Sequence, residues 1–263
     1  MQSAGIRNFD PDELASLFDL KYRGSAGLGP DPARRRRFNY YNPDDHYEAL
    51  IRKLVQPQTR WLEVGCGRHV FPSNPALAKE LAARCALLTG VDPDETIEEN
   101  PFVHDKVRGM VEDLDPELRF DLVTLRMVAE HVADPADMLE TLSNLVVPNG
   151  IVVIYTINKW SPVPIATAVT PFSLHHPIKY VLWRGEEKDT FPTTYKMNTR
   201  TQLRELFSTA GFAEDCFWYL DDCRTFQRFR LLNLLELSAW RVLKAMGLRY
   251  PENCLLGVYR RRS

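Results

Sequence analysis

Apolar residues along this chain fall into two alternating patterns. Short, largely apolar runs at 59–64, 86–91, 120–125 and 151–157 alternate with stretches whose apolar positions recur every three or four residues. The runs read as strands buried on both faces, and the periodic stretches as helices that cover them. The pattern predicts strands over 59–64, 86–91, 106–111, 120–125, 151–157, 212–220 and 254–260, with helices over 9–20, 44–56, 74–84, 134–146, 199–210 and 224–247. Punctuation agrees: Pro11 follows Asp10 at the first helix start, Pro57 stops the second helix, and Gly211 ends a helix capped by Asn198 or Thr199. Strands alternating with helices make a doubly wound α/β sandwich around a parallel sheet. The expected organisation is a helical cap over 1–57 and one domain over 58–263.

Two stretches break the rhythm. Residues 21–37 are rich in Gly, Pro and Arg and read as a mobile loop. Residues 159–197 are rich in Pro, aromatics and His, the pattern of an insertion that caps a site at the carboxyl end of a strand. The aromatics Trp160, Phe172, Trp183, Phe191 and Tyr195 suit either an acceptor pocket or the apolar glue of a lid. The extra helical segment 224–247 is apolar on most sides, with Arg228, Arg230, Arg241 and Lys244 interspersed. Such a helix is expected to be buried in its own fold, ahead of a membrane surface or a second subunit.

Composition narrows the function classes. A chain of 263 residues with 44% apolar content can build a full core. A formal net charge of −2 gives no global basic field to draw nucleic acid. The Arg34–Arg37 run reads as a solvated turn or helix edge. Five scattered cysteines without a CxxC pair read as reduced thiols. With no apolar signal core at the N-terminus and no run long enough to span a bilayer, a cytoplasmic protein is expected.

The chemistry starts at Glu63-Val64-Gly65-Cys66-Gly67, directly after the first predicted strand. Glycines there let the chain turn sharply and let a ligand lie against bare peptide. Val70 stands where a dinucleotide fingerprint needs a third glycine, and no Walker lysine is present. The Glu63 carboxylate suits a ligand that carries positive charge. Asp92, before Pro93 at the next predicted strand tip, offers two acceptor oxygens, a match for a vicinal diol.

This turn resembles the first motif of the class I S-adenosylmethionine-dependent methyltransferases, and the resemblance extends from about residue 59 to 261. It implies a seven-stranded Rossmann-like sheet with an antiparallel strand at the edge. The implied cofactor is S-adenosylmethionine, leaving as S-adenosylhomocysteine, held by Glu63, Gly65, Cys66 and Gly67 with Asp92 and Pro93 at the ribose. Arg108–Leu114 resembles the adenine-contacting motif, but Met110 stands where many members carry aspartate, so the contact passes to Val111, Glu112 or Asp113. The stretch Leu125–Val132 resembles the fourth-strand region of quinone and small-molecule O-methyltransferases, which adds Arg126 as a cofactor residue.

His131 in that stretch is the candidate general base, because an imidazole takes a proton from a hydroxyl at neutral pH. Glu130, His175, His176 and Tyr195 are candidate substrate contacts, with at most one of the adjacent histidines facing the site. Some relatives hold a divalent metal through E-x-x-E-H; Met127 replaces the first Glu here, so no metal is expected. The implied reaction is methyl transfer to an oxygen or nitrogen of a small-molecule acceptor. A silent cofactor-binding scaffold and a methyltransferase of a lipid-linked substrate stay open, as does monomer or homodimer.

Overall fold

The computed structural model describes residues 8–22, 30–161, 192–248 and 250–263. Seven strands form one sheet: β1 (Arg60–Val64), β2 (Leu87–Asp92), β3 (Asp105–Arg108), β4 (Phe120–Arg126), β5 (Val146–Ile157), β6 (Phe212–Asp221) and β7 (Glu252–Arg261). Their order is β3-β2-β1-β4-β5-β7-β6. All neighbours run parallel except β7, which is antiparallel to both β5 and β6. The helices are α1 (Pro11–Tyr22), α2 (Pro30–Phe38), α3 (Pro43–Leu54), α4 (Pro75–Arg84), α5 (Pro135–Leu145), α6 (Arg200–Thr209) and α7 (Arg230–Ala245). The expected doubly wound sandwich is the observed fold.

Strand alternation divides the core into two layers. Trp61, Leu122, Val153, Tyr155 and Leu256 join α1, α3 and α4 on one face. Leu62, Val64, Val123, Leu125, Ile154 and Leu255 join α5 and α6 on the other. The central strands β1, β2, β4 and β5 need largely apolar runs because they are buried on both sides; the edge strands β3 and β6 are only partly buried. Side-chain caps fix the helix starts: Asn74 accepts from Leu77 N–H, Asp134 from Ala136 and Asp137 N–H, and Thr199, not Asn198, from Gln202 N–H.

Three expectations are corrected. Within the 21–37 stretch, α2 is helical from Pro30, so the arginine run is not a loop. Arg34 and Arg35 are also buried, not solvated. Arg34 donates to the Gln227 carbonyl at 2.8 Å and Arg35 to Asp45 at 2.8 Å, partners distant enough in sequence to leave no local signal. The third concerns α7, which starts at Arg230, later than expected, and is buried on one face only. Leu237 and Trp240 pack on Tyr40, while Leu231, Leu235 and Val242 face outward.

The N-terminal helices are pinned by buried charge. Lys21 donates to Asp45 at 3.0 Å and to Glu48 at 2.9 Å, and Asn74 of the α4 cap donates to Glu48 at 2.8 Å. Burial alone would lower the Lys21 ammonium, but Asp45 and Glu48 outweigh it and hold the pKa above the ordinary value. Asp45 also closes a capping box with Asn42 at the start of α3. Asp45→Ala strips three donors of their acceptor and is expected to lower stability by about 3–5 kcal/mol in urea titrations. Lys53→Ala, which breaks a half-exposed 3.2 Å pair with Glu13, is expected to cost less than about 1 kcal/mol. Equal losses in the two variants would contradict this account of the cap.

Candidate functional site

The chain reverses its strand order between β1 and β4, and open α/β sheets bind ligands in the crevice at that switch point. Here the turn after β1 carries Gly65 (φ 71°) and Gly67 (φ 42°), both left-handed. A Cβ at Gly65 would lie 2.3 Å from Val128 Cγ2, so only glycine lets the β1 turn close against the turn after β4. The tips are laced by backbone: Gly65 N–H donates to Val91 O at 2.8 Å, and Gly109 N–H to Asp92 O at 3.1 Å. Cys66 is buried beneath the turn, where Gly90 makes room for its sulfur.

Two carboxylates mark these tips. Glu63 is only 1% exposed; it accepts from the Thr124 hydroxyl, which in turn accepts from the Trp61 indole. Asp92 accepts from Gly67 N–H and from Asp94 N–H, each at 2.8 Å, so it shapes the turn as well as standing beside it. Each of its oxygens keeps a further lone pair for a hydroxyl. Pro93 is exposed next to it. Val111 is buried in the one-turn helix after β3, while Glu112 and Asp113 are exposed; Asp113 accepts from Met110 N–H at 2.8 Å.

Arg126 at the end of β4 points to Asp44 of α3, with Nη2 to Oδ1 at 3.1 Å. Arg224, after β6, reaches the same Asp44 and also Asp222, at 2.7 Å from Nε. Burial would raise the Asp44 carboxyl, but Arg224 and Arg126 hold it well below the usual range. Beside this network lies a cavity of about 280 Å³, lined by Met127, Ile157, Arg224, Gln227, Asn253 and Cys254 among others. It sits at the carboxyl ends of β4 and β5 and the start of antiparallel β7. Asn253 Oδ1 and the buried Ser161 Oγ, both on residues of its wall, have no hydrogen-bond partner among the described residues. Met127 holds φ 53°, a strained conformation at the cavity edge that its N–H bond to Tyr155 O (2.8 Å) maintains. A larger groove of about 630 Å³ runs between α5 and α6 on the flank of the sheet.

The remaining candidates divide. His131 Nδ1 lies 3.1 Å from the Pro192 carbonyl; a carbonyl only accepts, so Nδ1 carries the proton and Nε2 is the basic nitrogen of the neutral ring. Glu130 is turned into the protein, accepting from Thr156 Oγ1 at 2.7 Å, which explains a carboxylate there as a brace for the turn. Tyr195 is half-buried, at φ 51°, and its N–H bonds the Glu130 carbonyl at 3.3 Å. His175 and His176 lie outside the described residues, as do Phe172, Trp183 and Phe191, and Trp160 is exposed. Among the described residues no three His, Cys, Asp or Glu side chains gather as a metal-holding group. Sequence reasoning missed Asp44, Arg224, Asn253 and Ser161. Asp44 and Arg224 are 180 positions apart, and nothing local to either predicts the pair.

The fold and the glycine turn define a class: a doubly wound α/β protein with a ligand crevice at its switch point. The methyltransferase domain family matches residues 33–215, and the chain belongs to it, in the class I S-adenosylmethionine-dependent group. A ubiquinone biosynthesis O-methyltransferase of Acinetobacter baylyi is 30% identical over 169 residues, 58% of this chain and 64% of that relative. One from Rhodopseudomonas palustris strain TIE-1 is 32% identical over 108 residues, 38% of this chain and 40% of the relative. The chain thus spans less than two thirds of the length of these curated relatives. Among solved structures, the magnesium protoporphyrin IX methyltransferase of Synechocystis PCC 6803, with bound SAH, is similar in fold. It has a TM-score of 0.52 and 13% identity, over 95% of this chain and 93% of that one.

Burial pushes Glu63 up to about 8, and the Thr124 hydroxyl and the Arg126 charge recover only part of that cost. In the unfolded chain it ionises near 4.3. Between those values the folded state holds the extra proton, so stability falls as pH rises through this window and levels above about 8. The span corresponds to roughly 3–5 kcal/mol. Urea midpoints measured from pH 5 to 9 are expected to show this decline, and Glu63→Gln, neutral throughout, to flatten it. An unchanged slope in the glutamine variant would refute the assignment.

Proposed function

We propose that this protein transfers a methyl group from S-adenosylmethionine to an oxygen of a small hydroxylated acceptor, of the quinone-like or phenolic kind. The observation that carries the reading is the cavity at Met127, Ile157 and Asn253, beside the glycine crevice on the same edge of the sheet. The printed names of the relatives, ubiquinone biosynthesis O-methyltransferases, support oxygen as the accepting atom.

The crevice fits the cofactor. It offers bare peptide at Gly65 and Gly67 and a diol partner in Asp92, with Glu63 buried beneath and Arg126 neutralised by Asp44. When bound, the cofactor supplies an electrophilic methyl on a cationic sulfur. Asp92 would hold the ribose, and Val111 with Glu112 and Asp113 would border the adenine. Glu63, which burial keeps protonated up to about 8, would offset positive charge only by giving up its proton as the cation arrives. Asn253 Oδ1 and Ser161 Oγ accept from the hydroxyls of the acceptor, which fixes its ring. His131 Nε2 takes the proton of the reacting hydroxyl, with the Pro192 carbonyl fixing the tautomer. Tyr195, His175 and His176 stay as candidate acceptor contacts; Glu130 braces the turn. Alignment of nucleophile and methyl in a dry cleft supplies much of the acceleration.

The test combines calorimetry with S-adenosylmethionine and radiolabelled methyl transfer to catechol and hydroquinone probes. Asp92→Ala is expected to weaken cofactor binding about 10–100-fold, the loss of a charged hydrogen-bond acceptor. Asn253→Leu is expected to leave cofactor binding intact and lower kcat/KM about tenfold. His131→Ala is expected to lower kcat about 100-fold near pH 7. Tight cofactor binding without transfer to any oxygen nucleophile would refute the activity, and undiminished turnover in Asn253→Leu would refute the cavity as the acceptor site.

A further inference from the structure

Among the described residues eleven large apolar side chains are exposed, and eight of them lie between Phe226 and Leu248. On α7, Leu231 (75% exposed), Leu235 (67%) and Val242 (57%) fall on one stripe, because positions i, i+4 and i+11 share a helix face. Met246, just past the helix end, continues the line, and Phe226 and Phe229 stand exposed at its other end. The opposite face is spoken for: Leu237 and Trp240 pack on Tyr40, and the Trp240 indole donates to Asp221 at 2.8 Å. The helix is therefore apolar on two opposite sides, and among the described residues only one of them has a partner. Isolated exposed leucines need no explanation, but a contiguous stripe of this size marks an interaction surface.

Charge says what covers it. Every exposed ionic side chain between residues 226 and 248 is a cation: Arg228, Arg230, Arg241 and Lys244. The only acid in the segment, Glu236, is buried and accepts from Asn233 and Tyr250. The neighbouring α2 adds exposed Arg37, and its buried Arg34 ties the two segments through the Gln227 carbonyl at 2.8 Å. A second copy of the chain meeting this face across a two-fold axis would set cation against cation. An anionic lipid surface matches both halves of the pattern, with acyl chains for the leucines and headgroups for the arginines. No described helix is long and apolar enough to cross a membrane, which leaves a helix lying in the interface plane.

We propose that α7, with the Arg224–Phe229 turn that leads into it, docks this protein on anionic lipid surfaces. The apolar stripe enters the acyl boundary and Arg230 and Arg241, on its flank, engage headgroups, while Lys244 lies over the Trp240 ring on the packed side. The same turn gives Arg224, Thr225 and Gln227 to the cavity wall, so the docked surface begins within a few residues of that cavity. The docking stands on the exposed stripe and its charges, independent of any transfer activity.

Co-sedimentation of the full chain with vesicles tests it, comparing phosphatidylcholine alone with an equal mixture of phosphatidylcholine and phosphatidylglycerol. Partitioning is expected to be at least about tenfold stronger on the anionic vesicles and to weaken as salt is raised. Leu235→Glu with Val242→Glu is expected to reduce binding about tenfold or more. Arg230→Glu with Arg241→Glu is expected to abolish the preference for phosphatidylglycerol. These positions are exposed, so both variants should keep the parent melting temperature and cofactor binding. Absence of binding to anionic vesicles, or undiminished binding of the Leu235→Glu/Val242→Glu protein, overturns the proposal. So does a lipid-free dimer in sedimentation velocity that this double variant dissociates.

Discussion

Asp44 is where three distant parts of the chain meet. It sits in the first turn of α3 and holds Arg126 from the end of β4 and Arg224 from the turn after β6. Asp222 completes the set, so two guanidinium groups face two carboxylates and the group is neutral. Buried pairs of this kind rarely add much net stability, since desolvation consumes most of the Coulomb gain, but removing one partner strands a charge at a cost of about 3–5 kcal/mol. Their effect is to specify position. The N-terminal helices, the switch-point strand and the C-terminal turn that walls the cavity have one arrangement in which all four charges are paired. Hydrophobic burial alone would tolerate several.

The sheet was legible because its central parallel strands β1, β2, β4 and β5 are largely buried on both faces and therefore read as apolar runs, whereas edge strand β3, Asp105–Arg108, is half-exposed and polar. The glycine turn was legible because its conformation excludes side chains, and a left-handed φ leaves its mark in residue type. The arginine run of α2 misled because buried and solvated arginines look alike in sequence; the acceptors that bury Arg34 and Arg35 come from α3 and from the turn before α7. The same limit hid Arg224 and Asn253. A polar residue in a turn carries no sign of whether it faces water or a cavity. For α7 the apolar content was plain, but periodicity cannot tell a helix buried on two sides from one with an unpartnered face.

Electrostatics divides the carboxyl edge of the sheet into zones with different chemical appetites. Around β1 and β2 the tips are acidic through Asp92, with Glu63 buried and protonated up to about 8. Around β4, β6 and β7 the Asp44 network cancels its own charge. The outward side of α7 is apolar and flanked by Arg230 and Arg241. Two unit charges about 7 Å apart interact by roughly 2 kcal/mol at an effective dielectric near 20. A single unpaired guanidinium at Arg126 would therefore cancel most of what one acidic tip offers a cationic ligand. Asp44 removes that repulsion without moving the arginine.

The neutral zone then has its own use. A charged cavity wall would keep water ordered around itself, and an acceptor ring would have to displace that water at a cost. With Arg224 and Asp222 paired, the wall near Asn253 presents directional acceptors, Asn253 Oδ1 and Ser161 Oγ, beside the apolar Met127, Ile157 and Cys254. That combination favours a ligand with hydroxyl donors on an apolar ring over a free ion. A molecule of that polarity is also the kind that partitions to a lipid interface. The cavity wall and the apolar stripe of α7 are joined by one short turn, so the proposed acceptor and the proposed lipid contact would share the same surroundings.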